Sequence, residues 1–242
     1  MSAAVFSPRI GIYGSDETAG AGPRGCSLWP VGYAAAVREA GGTPVPLARP
    51  PLRSPWPWDP ALEGLDGVIL LGAERPTAEE AAQEERLCRR CGEMGLPLLA
   101  VDRGLHVLNT AFGGSLHMDL SRELPQALQH LHLTEPGDRH AINVLGGTRL
   151  AGFYGADEIV VNSEHRRAVC RVARGFRVGA QALDGVIEAI EAEADGWFAV
   201  GVQWLPASAS ASGLDIQLFR GVVAACRDRQ EAGCHNAALV AA

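Results

Sequence analysis

The sequence contains no lysine, and all 21 of its basic residues are arginine. Schiff-base chemistry and a lysine phosphate clamp are therefore excluded, because both need a primary side-chain amine. The 28 acidic residues bring the net charge to −7, and such a chain lacks the basic surface with which proteins bind nucleic acids or anionic membranes. We therefore expect neither a nucleic-acid partner nor a membrane partner.

Long apolar runs are also missing. No run of about 18 apolar residues predicts a transmembrane helix, and no charged start followed by an apolar stretch resembles a signal peptide. We therefore expect a cytoplasmic protein. The 242 residues are 47% hydrophobic and 20% charged, which is enough apolar material for one sizeable core.

Cysteine is sparse, with six residues in the chain, which is unlike a disulfide scaffold and predicts reduced thiols. Cys88 and Cys91 form a C-x-x-C, but they fall in the middle and end of a predicted helix. A redox pair normally opens a helix, where the dipole lowers thiol pKa values, and a zinc knuckle needs a second such pair. We interpret Cys88 and Cys91 as structural.

Apolar runs alternate with helical patterns through the first half of the chain, an order typical of a parallel sheet with helices on its faces. Strands are predicted at 9–13, 43–47, 65–71 and 97–101. Helices are predicted at 28–40, 77–94 and 103–111. The proline-rich stretch 48–60 is predicted to be a loop, and its Trp56 and Trp58 either bind a partner or pack onto their own domain.

The second half predicts antiparallel or mixed strands, with Asp184-Gly185 as a hairpin turn. These strands are predicted at 140–145, 157–162, 176–183, 185–192 and 197–204. A helix over 213–227 closes a single domain that spans 9–227, and the tail 228–242 is predicted to fray. The fold class is therefore α/β, with a mostly parallel central sheet flanked by helices and a small antiparallel sheet added.

The segment PLLAVDRGLHVLN, at 97–109, places Asp102 between a buried strand and a helix. Such a strand-to-helix turn is the geometry of a nucleophile elbow, and the helix N-terminus favours an anion there. An aspartate before a helix is also a common N-cap, which is the simpler interpretation. Either setting predicts that Asp102 is ionised, with a depressed pKa.

Blocks of sequence from Ile10 to about Cys226 resemble class I glutamine amidotransferases, and most of all their γ-glutamyl-γ-aminobutyrate hydrolase (peptidase C26-like) branch. The blocks are AGGTPVPL, LDGVILLGA, GLPLLAVDRGLHVLN, AFGGSLHMDL, VVNSEHRRAV, ALDGVIEAIE and VGVQWLPA. The resemblance implies the flavodoxin-like class I glutamine amidotransferase fold.

In that family the elbow reads Gly-x-Cys-Arg-Gly and a late motif reads Gln-Trp-His-Pro-Glu, and these supply a Cys-His-Glu triad. Here the two motifs read AVDRG at 100–104 and QWLPA at 203–207. The resemblance thus implies that Asp102 replaces the nucleophile, Leu205 the base and Ala207 the orienting acid. Leucine cannot titrate, so the family's amide hydrolysis by its usual mechanism is excluded.

The resemblance also assigns positions around the lost triad. Gly72 and Ala73 match the oxyanion loop, and the backbone N–H groups of Ala73 and Arg103 would be the oxyanion donors. Ala73 would close this hole if the loop needs a positive φ there. His165 matches the histidine of an Asn-Ser-x-His block near the substrate side of the pocket, and Glu188 the acid of an Asp-Gly-x-x-Glu-Ala block.

A hydrolase with a new mechanism is the main alternative. Asp102 would then form an ester intermediate and a histidine, His106 or His165, would activate water, although a buried, hydrogen-bonded role is the simpler interpretation of both histidines. Four further histidines lack metal-ligand spacing on a single element, so we predict no metal site and no cofactor. They are His117, His130, His132 and His140.

The sequence therefore predicts a catalytically inactive relative of the γ-glutamyl hydrolases. It would bind a small amine or amino-acid-like ligand, because the Asp102 carboxylate favours an amine or amide N–H donor and disfavours a second carboxylate. Two alternatives remain: a partner protein for which the chain is a non-catalytic scaffold, and assembly as a homo-oligomer.

Overall fold

A computed structural model describes residues 6–14, 31–48, 50, 58–73, 76–131, 139–193 and 196–240, with backbone alone at 31 and 233–240. The strands are β1 (Arg9–Gly14), β2 (Thr43–Pro46), β3 (Gly67–Gly72), β4 (Leu98–Val101), β5 (Ser115–His117), β6 (Arg139–Val144), β7 (Glu158–Asn162), β8 (Ala168–Arg171), β9 (Phe176–Ala182), β10 (Ile187–Ala192) and β11 (Ala199–Val202). The α-helices are α1 (Val31–Glu39), α2 (Asp59–Leu62), α3 (Ala78–Glu93), α4 (Arg103–Ala111), α5 (Leu120–Glu123), α6 (Arg149–Tyr154) and α7 (Ile216–Val240). None of the helices in these ranges has the length and hydrophobicity to cross a bilayer.

The described strands form one sheet, whose main path has the order β2-β1-β3-β4-β11-β10-β9-β6-β7. The first five of these strands are parallel, and the last four pair antiparallel from β11 onward. β5 and β8 form an antiparallel side branch that reaches β10 through Val169 and Ile187. The predicted α/β class is confirmed, and the antiparallel strands extend the parallel sheet.

The core lies on both faces of the sheet because successive strand residues point to opposite sides. In β4, Leu99 and Val101 join the cluster formed with α1, α6 and α7, whereas Leu98 and Ala100 join the cluster formed with α2, α3 and α4. All four side chains are buried. This double burial explains why β4 reads as a continuous apolar run rather than an alternating one.

Helix α3 follows its sequence signals closely. Thr77 is the N-cap and forms a capping box with Glu80. Cys88 and Cys91 are fully buried in this helix, and burial raises the pKa of both thiols, that of Cys91 to about 12. The structural interpretation of this C-x-x-C is confirmed.

Two segments differ from their predictions. The closing helix was predicted to end at Arg227 with fraying beyond, but α7 continues to Val240, because residues 228–240 contain no proline and a single glycine. The predicted loop 48–60 includes the start of α2 and the buried Trp58, whose Nε1 donates to the carbonyl of Gln83 at 2.8 Å. Trp58 therefore packs onto its own domain, and Trp56 lies outside the described residues.

Candidate functional site

Asp102 lies on the turn between β4 and α4 with φ 49° and ψ −110°. Among the described residues it is the single non-glycine residue with a positive φ, a conformation that costs about 1–3 kcal/mol. Its side chain makes no N-cap hydrogen bond to the helix, so the capping interpretation is wrong. The backbone has the strained geometry of an elbow instead.

The Asp102 side chain is connected to His106 through Gln203. The Gln203 amide Nε2 donates to Asp102 Oδ1 at 2.8 Å, and Gln203 Oε1 lies 2.9 Å from His106 Nε2. Burial lowers the pKa of His106 to about 4, so the imidazole is neutral at pH 7 and its Nε2–H donates to the amide oxygen. An amide thus separates the two titratable groups of this chain of hydrogen bonds.

The prediction of a depressed pKa at Asp102 is wrong. Burial raises the pKa of this carboxyl, and the opposing effects of His165 and Arg103 are smaller. The helix N-terminus favours the anion, but removing the carboxylate from water disfavours it more strongly. The sequence shows the dipole and does not show the depth of burial.

The predicted oxyanion loop is held by a glutamate. The Ala73 N–H donates to Glu84 Oε1 at 2.6 Å, and Arg103 Nη2 donates to Glu84 Oε2 at 2.7 Å. One of the two predicted oxyanion donors is therefore already occupied, and the Arg103 guanidinium pairs with Glu84 rather than folding over Asp102. Glu84 is fully buried. Its position near the start of a predicted helix did not indicate this role.

Glycine is required at position 72 and not at position 73. Gly72 has φ 78°, and a Cβ there would meet Arg103 Cγ at 3.0 Å. Ala73 is not among the positive-φ residues of the described chain. Alanine at position 73 therefore causes no backbone strain. The Ala73 N–H is unavailable as an oxyanion donor because it already donates to Glu84.

The positions of the lost base and acid are packing positions. Leu205 and Ala207 are partly buried against the core cluster of α1 and α7. Both main-chain polar groups of Leu205 bond to Asn162, with its N–H donating to Oδ1 at 2.8 Å and its carbonyl accepting from Nδ2 at 3.0 Å. Asn162 thus holds this segment in place without a titratable side chain at either position.

His165 and Glu188 do come together, and two further histidines join them. Glu188 Oε1 lies 3.3 Å from His130 Nδ1, 3.3 Å from His165 Nε2 and 3.6 Å from His140 Nε2. These four residues, here called the histidine cluster, have ligand atoms that all lie within 4.8 Å of one another. The cluster is a candidate metal site, contrary to the prediction of none, which considered spacing along single elements only.

Four separate segments supply the histidine cluster, which is why no sequence motif revealed it. His140 lies in β6 and Glu188 in β10, while His165 follows β7 and His130 lies in a segment outside regular structure. His132 lies outside the described residues.

Glu188 is ionised in this setting. Its burial raises the carboxyl pKa, but the facing imidazoles of His130 and His165 lower it further, to about 2. Burial lowers the pKa of His140, while the facing carboxylates of Glu188 and Asp184 outweigh burial and raise that of His130. The cluster therefore centres on a fully buried carboxylate anion.

A cavity of about 620 Å³ borders the histidine cluster. His130 and His165 line it together with Arg166 and residues between 119 and 131. At its rim Arg166 Nη2 bonds to Asp119 Oδ2 at 2.9 Å. The cavity brings solutes to two of the four cluster residues.

Comparison with known proteins identifies relatives over most of the chain. The profile of the Peptidase C26 family matches residues 8–207. A Mycobacterium tuberculosis protein described as a glutamine amidotransferase is 32% identical over 218 residues, which are 80% of this chain and 66% of that protein. A γ-glutamyl-γ-aminobutyrate hydrolase of Escherichia coli O157:H7 is 32% identical over 218 residues, covering 81% of this chain and 85% of that protein.

A comparison with solved structures identifies a protein of the same fold. A Thermoplasma acidophilum protein described as a component of GMP synthase superimposes with a TM-score of 0.67 at 16% identity, over 94% of this chain and 98% of that chain. The fold is therefore shared with that protein. From the match over residues 8–207 and the identity to the hydrolases, this chain belongs to the Peptidase C26 family.

Proposed function

We propose that this chain is a member of its family that does not hydrolyse γ-glutamyl amides, and that its elbow binds a small ligand carrying an amine or amide donor. The observation that carries the proposal is Gln203, which stands between His106 and Asp102 with hydrogen bonds of 2.9 and 2.8 Å. The side chain that hydrogen-bonds to the Asp102 carboxylate is an amide, which cannot act as a general base.

The lost catalytic groups account for the absence of hydrolysis. Removing a triad nucleophile alone costs about a million-fold in rate. An ester formed on Asp102 would need a base to activate water, yet His106 is neutral and its Nε2–H is directed at Gln203. His106 is therefore not placed as that base, and the Nε2 of His165, the other candidate, lies 3.3 Å from Glu188 Oε1.

The charge of the elbow sets the ligand class. A carboxylate or oxyanion placed about 4 Å from an ionised Asp102 would be opposed by about 4 kcal/mol at an effective dielectric near 20. A cationic amine in the same place is attracted instead, and it offsets the burial that raises the pKa of this carboxyl. Leu205, which is apolar and partly buried, supplies a surface for the carbon stem of the ligand.

No observation on the described residues favours a scaffold role over ligand binding. Trp58, one of the two tryptophans that could have provided a contact surface, is 2% exposed.

Two measurements test the proposal. The first is release of ammonia or amine from a panel of γ-glutamyl amides, where we expect the wild type and Asp102→Ala to give the same background. The second is calorimetric titration with putrescine and γ-aminobutyrate against glutarate and glutamate. We expect the amines to bind at least tenfold tighter than glutarate, and Asp102→Asn to abolish this preference.

Either of two results would overturn the proposal. Turnover by the wild type above the Asp102→Ala background would restore a catalytic role. Tighter binding of the dicarboxylates, unchanged in Asp102→Asn, would refute the charge argument.

A further inference from the structure

We propose that His130, His140, His165 and Glu188 form a binding site for a divalent transition-metal ion, with zinc as the ion that fits best. This site is separate from the elbow and does not rest on the function proposed for it. The inference depends on the direction of the nitrogen lone pairs, the distances between them and the groups that hold each ligand.

The outer nitrogen of two of the imidazoles faces a carbonyl. His140 Nδ1 lies 3.2 Å from the carbonyl of Ala141, and His165 Nδ1 lies 3.0 Å from the carbonyl of Arg167. A carbonyl oxygen only accepts hydrogen bonds, so each Nδ1 carries the proton. In the metal-binding form of these rings, the Nε2 atoms therefore direct their lone pairs at the centre of the cluster.

His130 is also oriented by a hydrogen bond from its outer nitrogen, but in this ring the outer nitrogen is Nε2. Its Nε2 donates to Asp184 Oδ2 at 2.9 Å, so Nδ1 faces Glu188. Asp184 is itself fixed by the backbone N–H groups of Leu128 and Val186, at 2.7 and 3.0 Å. An imidazole oriented by a carboxylate on its far side is the usual support of a metal-bound histidine.

The distances suit a metal better than a proton. Four ligands at the usual zinc distance of about 2.0–2.1 Å form a tetrahedron with edges of about 3.3 Å. The separations from Glu188 Oε1 to the three imidazole nitrogens are 3.3, 3.3 and 3.6 Å. The four ligand atoms as a set lie within 4.8 Å of one another, so the imidazoles would move inward around a bound ion. A proton shared between imidazolium and carboxylate would draw the atoms to about 2.7–2.9 Å.

The inner atoms of three of the four residues also lack hydrogen-bond partners, while His130 Nδ1 lies 3.5 Å from Ser163 Oγ. His140 Nε2, His165 Nε2 and both carboxylate oxygens of Glu188 are buried without a hydrogen bond. A buried carboxylate left in this way is costly, whereas a cation between the four groups satisfies all of them at once. The cavity lined by His130 and His165 provides the access route.

The donor set selects the class of ion. Three imidazoles and one carboxylate suit zinc and other late first-row metals, while magnesium and calcium prefer sites made wholly of oxygen. The fully buried cysteines, Cys88 and Cys91, lie in α3 and contribute nothing to the cluster.

The test uses the full chain, treated with a chelator and dialysed, and then titrated with zinc chloride in a calorimeter. We expect one equivalent to bind the wild type, and Glu188→Gln and His165→Gln to weaken the binding at least 100-fold. Asp184→Asn should weaken it by about 10–100-fold, because it removes only the support of His130.

Two matched control variants show whether zinc binds at this site or at other side chains that could bind it. His117→Gln removes a histidine that pairs with Glu123, and Cys170→Ser removes an exposed free thiol. Both should bind zinc as the wild type does. Magnesium should give no heat at the same concentrations.

Cobalt(II) keeps the test independent of how well the variants fold. Bound to the wild type, it should give the strong visible absorption of tetrahedral coordination without a thiolate charge-transfer band. Absence of zinc binding by the wild type, an octahedral or thiolate cobalt spectrum, or equal affinity in folded Glu188→Gln would each overturn the proposal.

Discussion

Two fully buried glutamates, Glu84 and Glu188, stand in opposite situations in this molecule. Glu84 accepts hydrogen bonds from the Ala73 N–H and from Arg103, one at each oxygen. Glu188 faces three imidazoles, and neither of its oxygens has a hydrogen bond. The first arrangement is complete without any ligand. The second consists of residue types that bind metals, and several of its polar atoms have no hydrogen bond. Burial of a glutamate therefore does not by itself show whether its role is structural or functional.

The elbow resembles Glu84 in that its polar side chains have hydrogen-bond partners within the protein. Asp102, Gln203 and His106 form a chain in which each side chain has a partner. His165 lies close enough to lower the pKa of Asp102, so the satisfied network and the unsatisfied one are neighbours.

The largest effect is expected for Glu84→Gln. This change leaves the Arg103 guanidinium without its carboxylate, and breaking a buried ion pair typically costs about 3–5 kcal/mol. Arg103 is 18% exposed, which puts the expected loss near the lower limit. The free energy of unfolding, measured in urea, reports it.

Glu188→Gln, measured in chelator, is the matched control for Glu84→Gln. We expect a smaller loss of free energy of unfolding than in Glu84→Gln, because the change removes the attraction of the imidazoles that lower the pKa of Glu188 but no hydrogen bond. Equal losses in the two variants would show that the two glutamates are equally structural and would remove the contrast between them.

The next effect concerns pH. Burial lowers the pKa of His106 to about 4 in the folded chain, against about 6.5 when unfolded. Between these values the unfolded state binds more protons, so His106 reduces stability as the pH falls from about 6.5 to about 4, by about 3 kcal/mol. The measurement is urea unfolding across this range in the wild type and in His106→Gln. Parallel curves for the two proteins would contradict the prediction.

A smaller loss is expected for Gln203→Leu. The change removes both hydrogen bonds of the bridge and leaves Asp102 and His106 without their shared partner, which costs about 1–3 kcal/mol. Chemical unfolding measures the loss. A neutral result would mean that water replaces the amide, and the elbow would then be more open than its hydrogen bonds indicate.

The smallest effect reverses the usual order of two substitutions. At φ 49° and ψ −110° a glycine is less strained than an alanine. We therefore expect Asp102→Gly to unfold with a free energy about 1 kcal/mol higher than Asp102→Ala, and both variants lose the same bond to Gln203. An alanine variant that is the more stable would show that the elbow backbone relaxes when the side chain is shortened.

Local signals were sufficient for most of the fold. The apolar runs indicated the strands, the helix predicted at 77–94 is α3, and Asp184-Gly185 forms the turn between β9 and β10, with Gly185 at φ 87°. The elbow at Asp102 was visible because a buried strand, one polar residue and a helix follow one another directly. Each of these features depends on neighbours in the chain.

The site was predictable only where residues depend on their neighbours. Gln203 looked like part of a buried strand, and nothing near it in the sequence shows that its amide reaches Asp102, 101 residues away. The closeness of His130 and His140 to Glu188 became apparent only from the structure, in which β6 and β10 lie on either side of β9. The pKa of Asp102 depended on burial competing with a helix dipole, and composition does not measure burial.

The pairing of β4 with β11 has a consequence during synthesis. Leu98 pairs with Ala199, so one edge of β4 has no strand beside it until the ribosome has added about 100 residues, which takes about 5–20 s at the usual rate. Through that interval an apolar strand edge is open to other chains, and the nascent protein is exposed to aggregation unless a chaperone covers the edge. The strand that finally covers it is followed at once by Gln203, so the last step of sheet closure also delivers the amide that completes the elbow.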